Sequence, residues 1–193
     1  MKRDARRRRR WLALGTGAVA IGLAVGALVA SGTFDKALQE LTLPLKHEDV
    51  IRQQADEKGV DAALIAAVIY SESKFSDATS SAGARGLMQI TPEAAEFIAR
   101  QSHATSFELG DLSDPEINIR YGTFLLREDL DRYDGDEAAA LAAYNAGPGN
   151  ADKWGGSGLN VSDIPFPETR AYVEEVLDKQ KDYRQKYGKE LGY

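Results

Sequence analysis

The sequence of 193 residues contains no cysteine, and its two histidines are His47 and His103. Without cysteine the chain has no disulfide, no thiolate metal site and no cysteine nucleophile. Two imidazoles also argue against a histidine-rich metal site, so we expect neither a metal nor another cofactor. The lack of disulfides does not exclude export, because a chain of this size can bury enough surface to fold without them.

Positive charge is concentrated in the first ten residues. Residues 1–10, MKRDARRRRR, have a net charge of +6, so with a total of −6 the other 183 residues carry −12. An acidic main domain argues against nucleic acid as its partner. The arginine run indicates membrane topology, because an apolar segment follows it directly, and a nucleic-acid-binding tail is the alternative.

Residues 11–30, WLALGTGAVAIGLAVGALVA, contain no charged side chain. Their number matches the roughly 20 residues with which a helix crosses a bilayer core. The preceding arginines should stay in the cytoplasm, so we expect a single-pass anchor with the rest of the chain outside. A signal peptide cleaved near the small residues 29–31 is the alternative. We expect a tether over residues 31–46 and one folded domain over residues 47–193.

The patterns in the folded domain are helical, and none alternates convincingly as a strand. The stretch AALIAAVIY, residues 62–70, is apolar on all sides and follows a possible N-cap, Asp61. Such a helix belongs in the middle of a domain; a buried strand is the alternative, although four alanines and the length disfavour it. The predicted fold class is all-α. Other predicted helices end at Gly59 or begin at Thr91–Pro92, at Asp114–Pro115 and near Glu168.

Glu72 follows the apolar stretch and lies on the same helical face as Ile65, Val68 and Ile69. If that face is buried, desolvation raises the pKa of the Glu72 carboxyl. A carboxylic acid that is still protonated near neutral pH can act as a general acid. The alternative is that the helix reaches the surface at Tyr70 and that Glu72 is solvated.

Three further motifs each have a purely structural interpretation when taken alone. In GARGLMQI (83–90), two glycines allow a tight turn, and Met88 and Gln89 then offer an apolar surface and an amide. In AYNAGPGN (143–150), Gly147 ends a helix and Pro148 prevents its continuation. The third motif, ETRAYV (168–173), only begins a helix.

Together with Glu72-Ser73 and NIRYG (118–122), and in this order, these motifs resemble the catalytic domain of the soluble-type lytic transglycosylases. That family of bacterial wall enzymes has a lysozyme-like fold, and the resemblance covers roughly residues 47–188. It implies that Glu72 is the single catalytic acid and base. It also implies a set of substrate-binding residues, in which Asn145 bonds an N-acetyl group and the Tyr172 hydroxyl lies near Glu72: Ser73, Met88, Gln89, Tyr144, Asn145 and Tyr172.

The reaction that the resemblance implies is cleavage of the β-1,4 bond between N-acetylmuramic acid and N-acetylglucosamine in peptidoglycan strands. A single acid suits a reaction in which the substrate's own N-acetyl group attacks and a 1,6-anhydro ring forms, whereas most glycosidases use two carboxylates. Asp77 is the nearest downstream candidate for a second carboxylate, but its Ser-rich loop indicates a capping or solvated side chain. Hydrolysis stays open, because goose-type lysozymes share the fold and the glutamate. A non-catalytic glycan-binding module is the third possibility.

Overall fold

The computed structural model describes residues 40–101 and 107–193, and residues 45–193 form a compact unit. In these described ranges the regular structure is helical, and β-structure is limited to two isolated bridges, Thr79 with Arg85 and Arg85 with Ile90. This confirms the all-α fold class. The helices are α1 (Glu48–Lys58), α2 (Ala62–Ser73), α3 (Pro92–Gln101), α4 (Pro115–Arg132), α5 (Glu137–Ala146), α6 (Pro148–Trp154) and α7 (Pro167–Tyr187), with short 3₁₀ helices at Leu109–Ser113 and Val161–Asp163.

The anchor predicted at residues 11–30 lies outside the described residues. Among residues 40–101 and 107–193, no helix is both long enough and apolar enough to cross a membrane.

Helix α2 lies at the centre of the domain, as its sequence predicts. The Asp61 carboxylate caps it by accepting a 2.8 Å hydrogen bond from the Leu64 N–H, and all eight residues from 62 to 69 are buried. The long helix α7 and helix α1 pack against it. The burial of a whole helical surface explains why this segment has no polar face, and it excludes the strand alternative.

The end of α2 fixes the position of Glu72. The helix ends at Ser73, and Lys74 and Phe75 then adopt left-handed backbone conformations with φ values of 52° and 60°. Such conformations are uncommon outside glycine, and the surrounding packing must hold them. The buried ring of Phe75 does so, because its centroid lies 6.2 Å from that of Tyr183 on α7. Glu72 is therefore held in the last turn of a buried helix.

Helix α4 begins where the sequence predicts, but its buried face matches the predicted one only in part. Asp114 accepts hydrogen bonds from the N–H groups of the first turn, which is the behaviour of an N-cap. The apolar spacing of Ile117, Tyr121, Phe124 and Leu125 predicts one buried face. Tyr121 is buried, but the other three are half-buried, and the fully buried apolar side chains are Ile119 and Leu126. Leu125 instead lines an open cleft. The periodicity therefore predicts the helix correctly, but part of its apolar face lines the open cleft instead of the core.

The sequence around Gly147 and Pro148 predicts the end of one helix but not the start of another. Gly147 does end α5, with its N–H donating to the Ala143 carbonyl at 2.7 Å. Pro148, however, is the first residue of the next helix, α6. Proline is favoured at this position because the first helical N–H has no intrahelical partner to lose. The same Gly-Pro pair thus ends one helix and begins another.

Candidate active site

Glu72 is the titratable group at the centre of the site. Burial raises the pKa of its carboxyl from 4.5 to about 7, although the Tyr172 hydroxyl on α7 acts in the opposite direction. Desolvation is the larger effect, because a charged carboxylate loses more hydration energy on burial than a neutral acid does. The carboxyl is therefore protonated in a large fraction of molecules near neutral pH. Glu72 is half-buried rather than fully solvated.

Two tyrosines accompany Glu72. Burial and the nearby Glu72 charge raise the pKa of both Tyr172 and Tyr144 well above 10, so both hydroxyls keep their protons. The Tyr172 hydroxyl is buried, and among the described residues no group meets it with full hydrogen-bond geometry. It is still close enough to lower the pKa of Glu72 as a hydrogen-bond donor. Tyr172 can therefore favour the carboxylate form after Glu72 has given up its proton.

The loop of residues 83–90 is held against the end of α2 by three side chains from three different helices. The Ser73 hydroxyl donates to the Leu87 carbonyl at 2.7 Å. The Asn118 carboxamide on α4 accepts from the Met88 N–H at 2.8 Å, and the Tyr144 hydroxyl on α5 donates to the Met88 carbonyl at 2.9 Å. One short stretch of backbone thus brings together four of the sequence motifs.

Asn118 makes more hydrogen bonds in this arrangement than Ser73 or Tyr144 does. It is completely buried, and its amide also donates to the carbonyls of Arg85 and Leu112, both at 2.9 Å. One side chain therefore pairs with three backbone groups, although the Arg85 carbonyl also accepts from the Ile90 N–H. Leaving a buried backbone group such as the Met88 N–H unpaired costs about 1–3 kcal/mol. The role of Asn118 was not predicted beyond its place in NIRYG, since an asparagine within a helix gives no local signal of such contacts.

Two glycines allow the close approach of the loop to α4. Gly86 has a φ of 73°, and a Cβ atom there would overlap the Asn118 side chain and the Leu112 carbonyl oxygen. A Cβ atom at Gly122 on α4 would overlap the side chain of Met88. Both positions need glycine for space, and Gly86 also needs it for its backbone conformation.

Several predicted substrate contacts have partners within the protein. The Ser73 hydroxyl donates to the backbone carbonyls of Ile69 and Leu87. The Met88 side chain has no exposed surface. A direct contact between Met88 and a sugar would require that side chain to move, because Gly122 and its neighbours enclose it. In this structure Ser73 and Met88 support the site from within. Their assignment as sugar contacts stays a prediction.

A cleft of about 970 Å³ opens beside this arrangement, between α3, α4 and the end of α5. Among the residues that line it are Gln89, Phe97, Leu125, Asp129 and Tyr144. Glu72 is not among the lining residues. Tyr144 connects the two places, since the pKa of its hydroxyl is raised by the charges of both Glu72 and Asp129.

Gln89 and Asn145 are the predicted contacts that are free to meet a ligand. The Gln89 amide donates to the carbonyls of Ala78 and Gly86 at 3.0 and 2.9 Å, which leaves its oxygen for a ligand. Asn145 is exposed at the end of α5. The N–H of a sugar N-acetyl group can donate to the Gln89 side-chain oxygen, and its carbonyl oxygen can accept from the Asn145 amide.

The cleft contains a carboxylate that the sequence did not indicate. Asp77, considered from the sequence as a second carboxylate, is exposed in the loop after α2. Asp129 instead lines the cleft. Burial raises the pKa of its carboxyl to about 7 despite the opposing charge of Arg132. Its only sequence signal was helical spacing, which places it on the same face as Leu125. Within residues 40–101 and 107–193, no cluster of histidine and carboxylate side chains is arranged to hold a metal ion.

The chain is similar to bacterial and phage proteins of one kind. It is 33% identical over 171 residues to the soluble lytic murein transglycosylase of Escherichia coli K12, covering 84% of this chain and 26% of that protein. It is 31% identical over 170 residues to the membrane-bound lytic murein transglycosylase C of Edwardsiella ictaluri, covering 72% of this chain and 46% of that protein. The chain thus spans only about a quarter of the Escherichia coli relative.

Solved structures agree with the sequence matches. The crystal structure of the 70 kDa soluble lytic transglycosylase of Escherichia coli matches with a TM-score of 0.73 and 33% identity, over 88% of this chain and 29% of that chain. An inactive mutant of the lytic transglycosylase Slt of Pseudomonas aeruginosa also matches with a TM-score of 0.73 and 33% identity, over 78% of this chain and 26% of that chain.

The family model described as "Transglycosylase SLT domain" matches residues 49–164, more than half of the chain. That range contains Glu72, the loop of residues 83–90 and Tyr144, which the structure brings together. The chain therefore belongs to the SLT transglycosylase domain family and has its all-α, lysozyme-like fold.

Proposed function

We propose that this protein is a lytic transglycosylase that cleaves peptidoglycan strands between N-acetylmuramic acid and N-acetylglucosamine. One observation carries the proposal: a glutamate at the end of a buried helix, beside a tyrosine hydroxyl, has a carboxyl pKa of about 7. Such a group can give and recover a proton at the same pH. The names of the relatives, lytic murein transglycosylases, support the same substrate.

In the proposed reaction, Glu72 first gives its proton to the glycosidic oxygen, and the bond from that oxygen to the anomeric carbon breaks. The N-acetyl oxygen of the same muramic acid attacks the anomeric carbon as this bond breaks. The 6-hydroxyl then displaces the N-acetyl oxygen and gives its proton to the Glu72 carboxylate. The product carries a 1,6-anhydro ring, no water is consumed, and Glu72 is again protonated for the next cycle.

The proposed reaction makes different demands on Glu72 in its two halves. The neutral acid is needed first, and burial provides it. A stabilised carboxylate is needed next, and the Tyr172 hydroxyl, protonated because its own pKa is well above 10, can donate a hydrogen bond to it. The two opposing effects on one carboxyl therefore match the two halves of the cycle.

Glu72→Gln should lower the rate of glycan cleavage by about 10²–10⁴-fold, because the amide cannot donate and recover a proton. The matched control is Glu174→Gln, an exposed glutamate of α7, which should keep the wild-type rate. Purified peptidoglycan is digested with each protein, and the products are weighed by mass spectrometry.

The product masses from the wild-type protein also distinguish the alternatives. Anhydro ends, lighter by one water molecule than reducing ends, are the expected result. Reducing ends would show hydrolysis instead. An intact glycan would show a binding module, and a Glu72→Gln variant with the wild-type rate would remove Glu72 from the mechanism.

The raised pKa of Glu72 should also make stability depend on pH. Because the folded-state pKa of about 7 lies above the ordinary value of 4.5, the folded state binds this proton more tightly, and stability is lost as the pH rises from about 4.5 to 7. Glu72→Gln does not have this loss. Relative to wild type, its free energy of unfolding should rise between pH 5 and pH 8, by at most about 3 kcal/mol at 1.4 kcal/mol per pKa unit.

Urea unfolding of both proteins at pH 5 and at pH 8 measures this difference, with Glu174→Gln as control. A stability difference between Glu72→Gln and wild type that is the same at both pH values would show that Glu72 has an ordinary pKa in the folded protein.

We also propose, from the sequence of residues 1–30, that the protein is a single-pass membrane protein with its catalytic domain outside the cytoplasm. Arginines followed by 20 uncharged residues support this orientation. Cell fractionation should find the full-length chain in the membrane, and protease added to spheroplasts should degrade residues 47–193. A shortened chain in the soluble exported fraction would show a cleaved signal peptide instead.

A further inference from the structure

Within the described residues, the Asp129 carboxyl differs from those of nearby aspartates in having no hydrogen-bond or ion-pair partner. Asp131, two residues along α4, pairs with Arg127 at 2.5 Å, and Asp152 pairs with Arg132 at 2.5 Å. Among the residues that the structure describes, no side chain forms a hydrogen bond or an ion pair with the Asp129 carboxyl. The nearby Arg132 acts on it only through its charge, because that guanidinium is bonded to Asp152.

Asp129 is nevertheless removed from most of the solvent. Burial raises the pKa of its carboxyl to about 7, and it faces the cleft next to Tyr144. A carboxyl that has lost hydration without gaining partners destabilises a fold. Within the described part of the chain, no hydrogen bond or ion pair therefore accounts for an acid at this position.

The position of Asp129 relative to Glu72 indicates what it meets. Asp129 and Tyr144 line the same cleft, and the charges of Asp129 and Glu72 both raise the pKa of the Tyr144 hydroxyl, so both carboxyls lie near that hydroxyl. The cleft of about 970 Å³ that Asp129 lines is large enough for several sugar rings. Sugar hydroxyls and N-acetyl N–H groups are donors, and a carboxylate is an acceptor with two oxygens.

We propose that Asp129 is a substrate-contacting residue of this cleft, and that its carboxyl accepts hydrogen bonds from hydroxyl or N-acetyl N–H groups of a bound glycan sugar. The sugar lies beside Tyr144, which lines the same cleft. This inference rests on the proposed function for the identity of the ligand. Bonds from the sugar supply the partners that Asp129 lacks in the free protein, and bonds to a charged group are stronger than neutral ones.

The experiment measures glycan affinity in a protein that does not cut its ligand. Titration calorimetry with a peptide-free tetrasaccharide of alternating N-acetylglucosamine and N-acetylmuramic acid is carried out on Glu72→Gln, alone and combined with Asp129→Leu, Asp129→Asn or Asp178→Asn. Asp178, exposed on α7 and paired with Lys181, is the matched control. Asp129→Leu should raise the Kd about 10-fold or more, Asp129→Asn should raise it less, and the control should leave it unchanged.

Unfolding of the same proteins separates a ligand contact from a structural role. Asp129→Leu should unfold at the same or a higher urea concentration than its parent, because it removes an unpaired acid. An unchanged Kd would overturn the proposal, as would an Asp129→Leu or Asp129→Asn protein whose affinity loss is matched by a loss of stability. An effect seen only with a glycan that carries peptide stems would also overturn it, because the contact would then be to the peptide.

The outcome is independent of the proposed reaction. If the wild-type protein releases no anhydro ends but Asp129→Leu still weakens tetrasaccharide binding, the proposed function fails and the inference about Asp129 stands. If anhydro ends form and the Kd does not change, only the inference fails.

Discussion

The desolvation of one carboxyl group at the end of a buried helix is the constraint on which the rest of this structure depends. Helix α2 is enclosed on all sides from residue 62 to residue 69, and Glu72 follows within one turn. The environment that raises its pKa to about 7 is produced mainly by burial. A shorter helix, or one with a polar face, would leave Glu72 in water with an ordinary pKa and without a proton to give.

The loop of residues 83–90 holds the surroundings of that carboxyl in place. Its backbone accepts hydrogen bonds from Ser73 on α2 and Tyr144 on α5, and it donates one to Asn118 on α4. Because these bonds are made to backbone atoms around Leu87 and Met88, the positions of three helices relative to Glu72 are fixed at one point. Rigid support of this kind is what a site needs if its groups are to be oriented before the substrate arrives.

The helices and the acid could be predicted from sequence because their signals are local. Asp61, the Asp114–Pro115 pair and the all-apolar stretch before Glu72 each act within a few residues of the structure they determine. The role of Ser73 depends on a partner 14 residues away, and that of Asn118 depends on partners 6, 30 and 33 residues away, so no short window of sequence shows them. The helix after Gly147 was missed because a Gly-Pro pair signals an end and a start equally well. Asp129 was missed because an acid within a helix ordinarily faces solvent.

Titration of the Glu72 carboxyl itself tests the central claim most directly. The ¹³C chemical shift of its side-chain carboxyl is followed by NMR from pH 4 to pH 9 in the wild-type protein, with Glu72→Gln used to assign the signal. The burial seen here predicts a midpoint of about 7. A midpoint near the ordinary value of 4.5, in a protein that still cleaves peptidoglycan, would contradict the account.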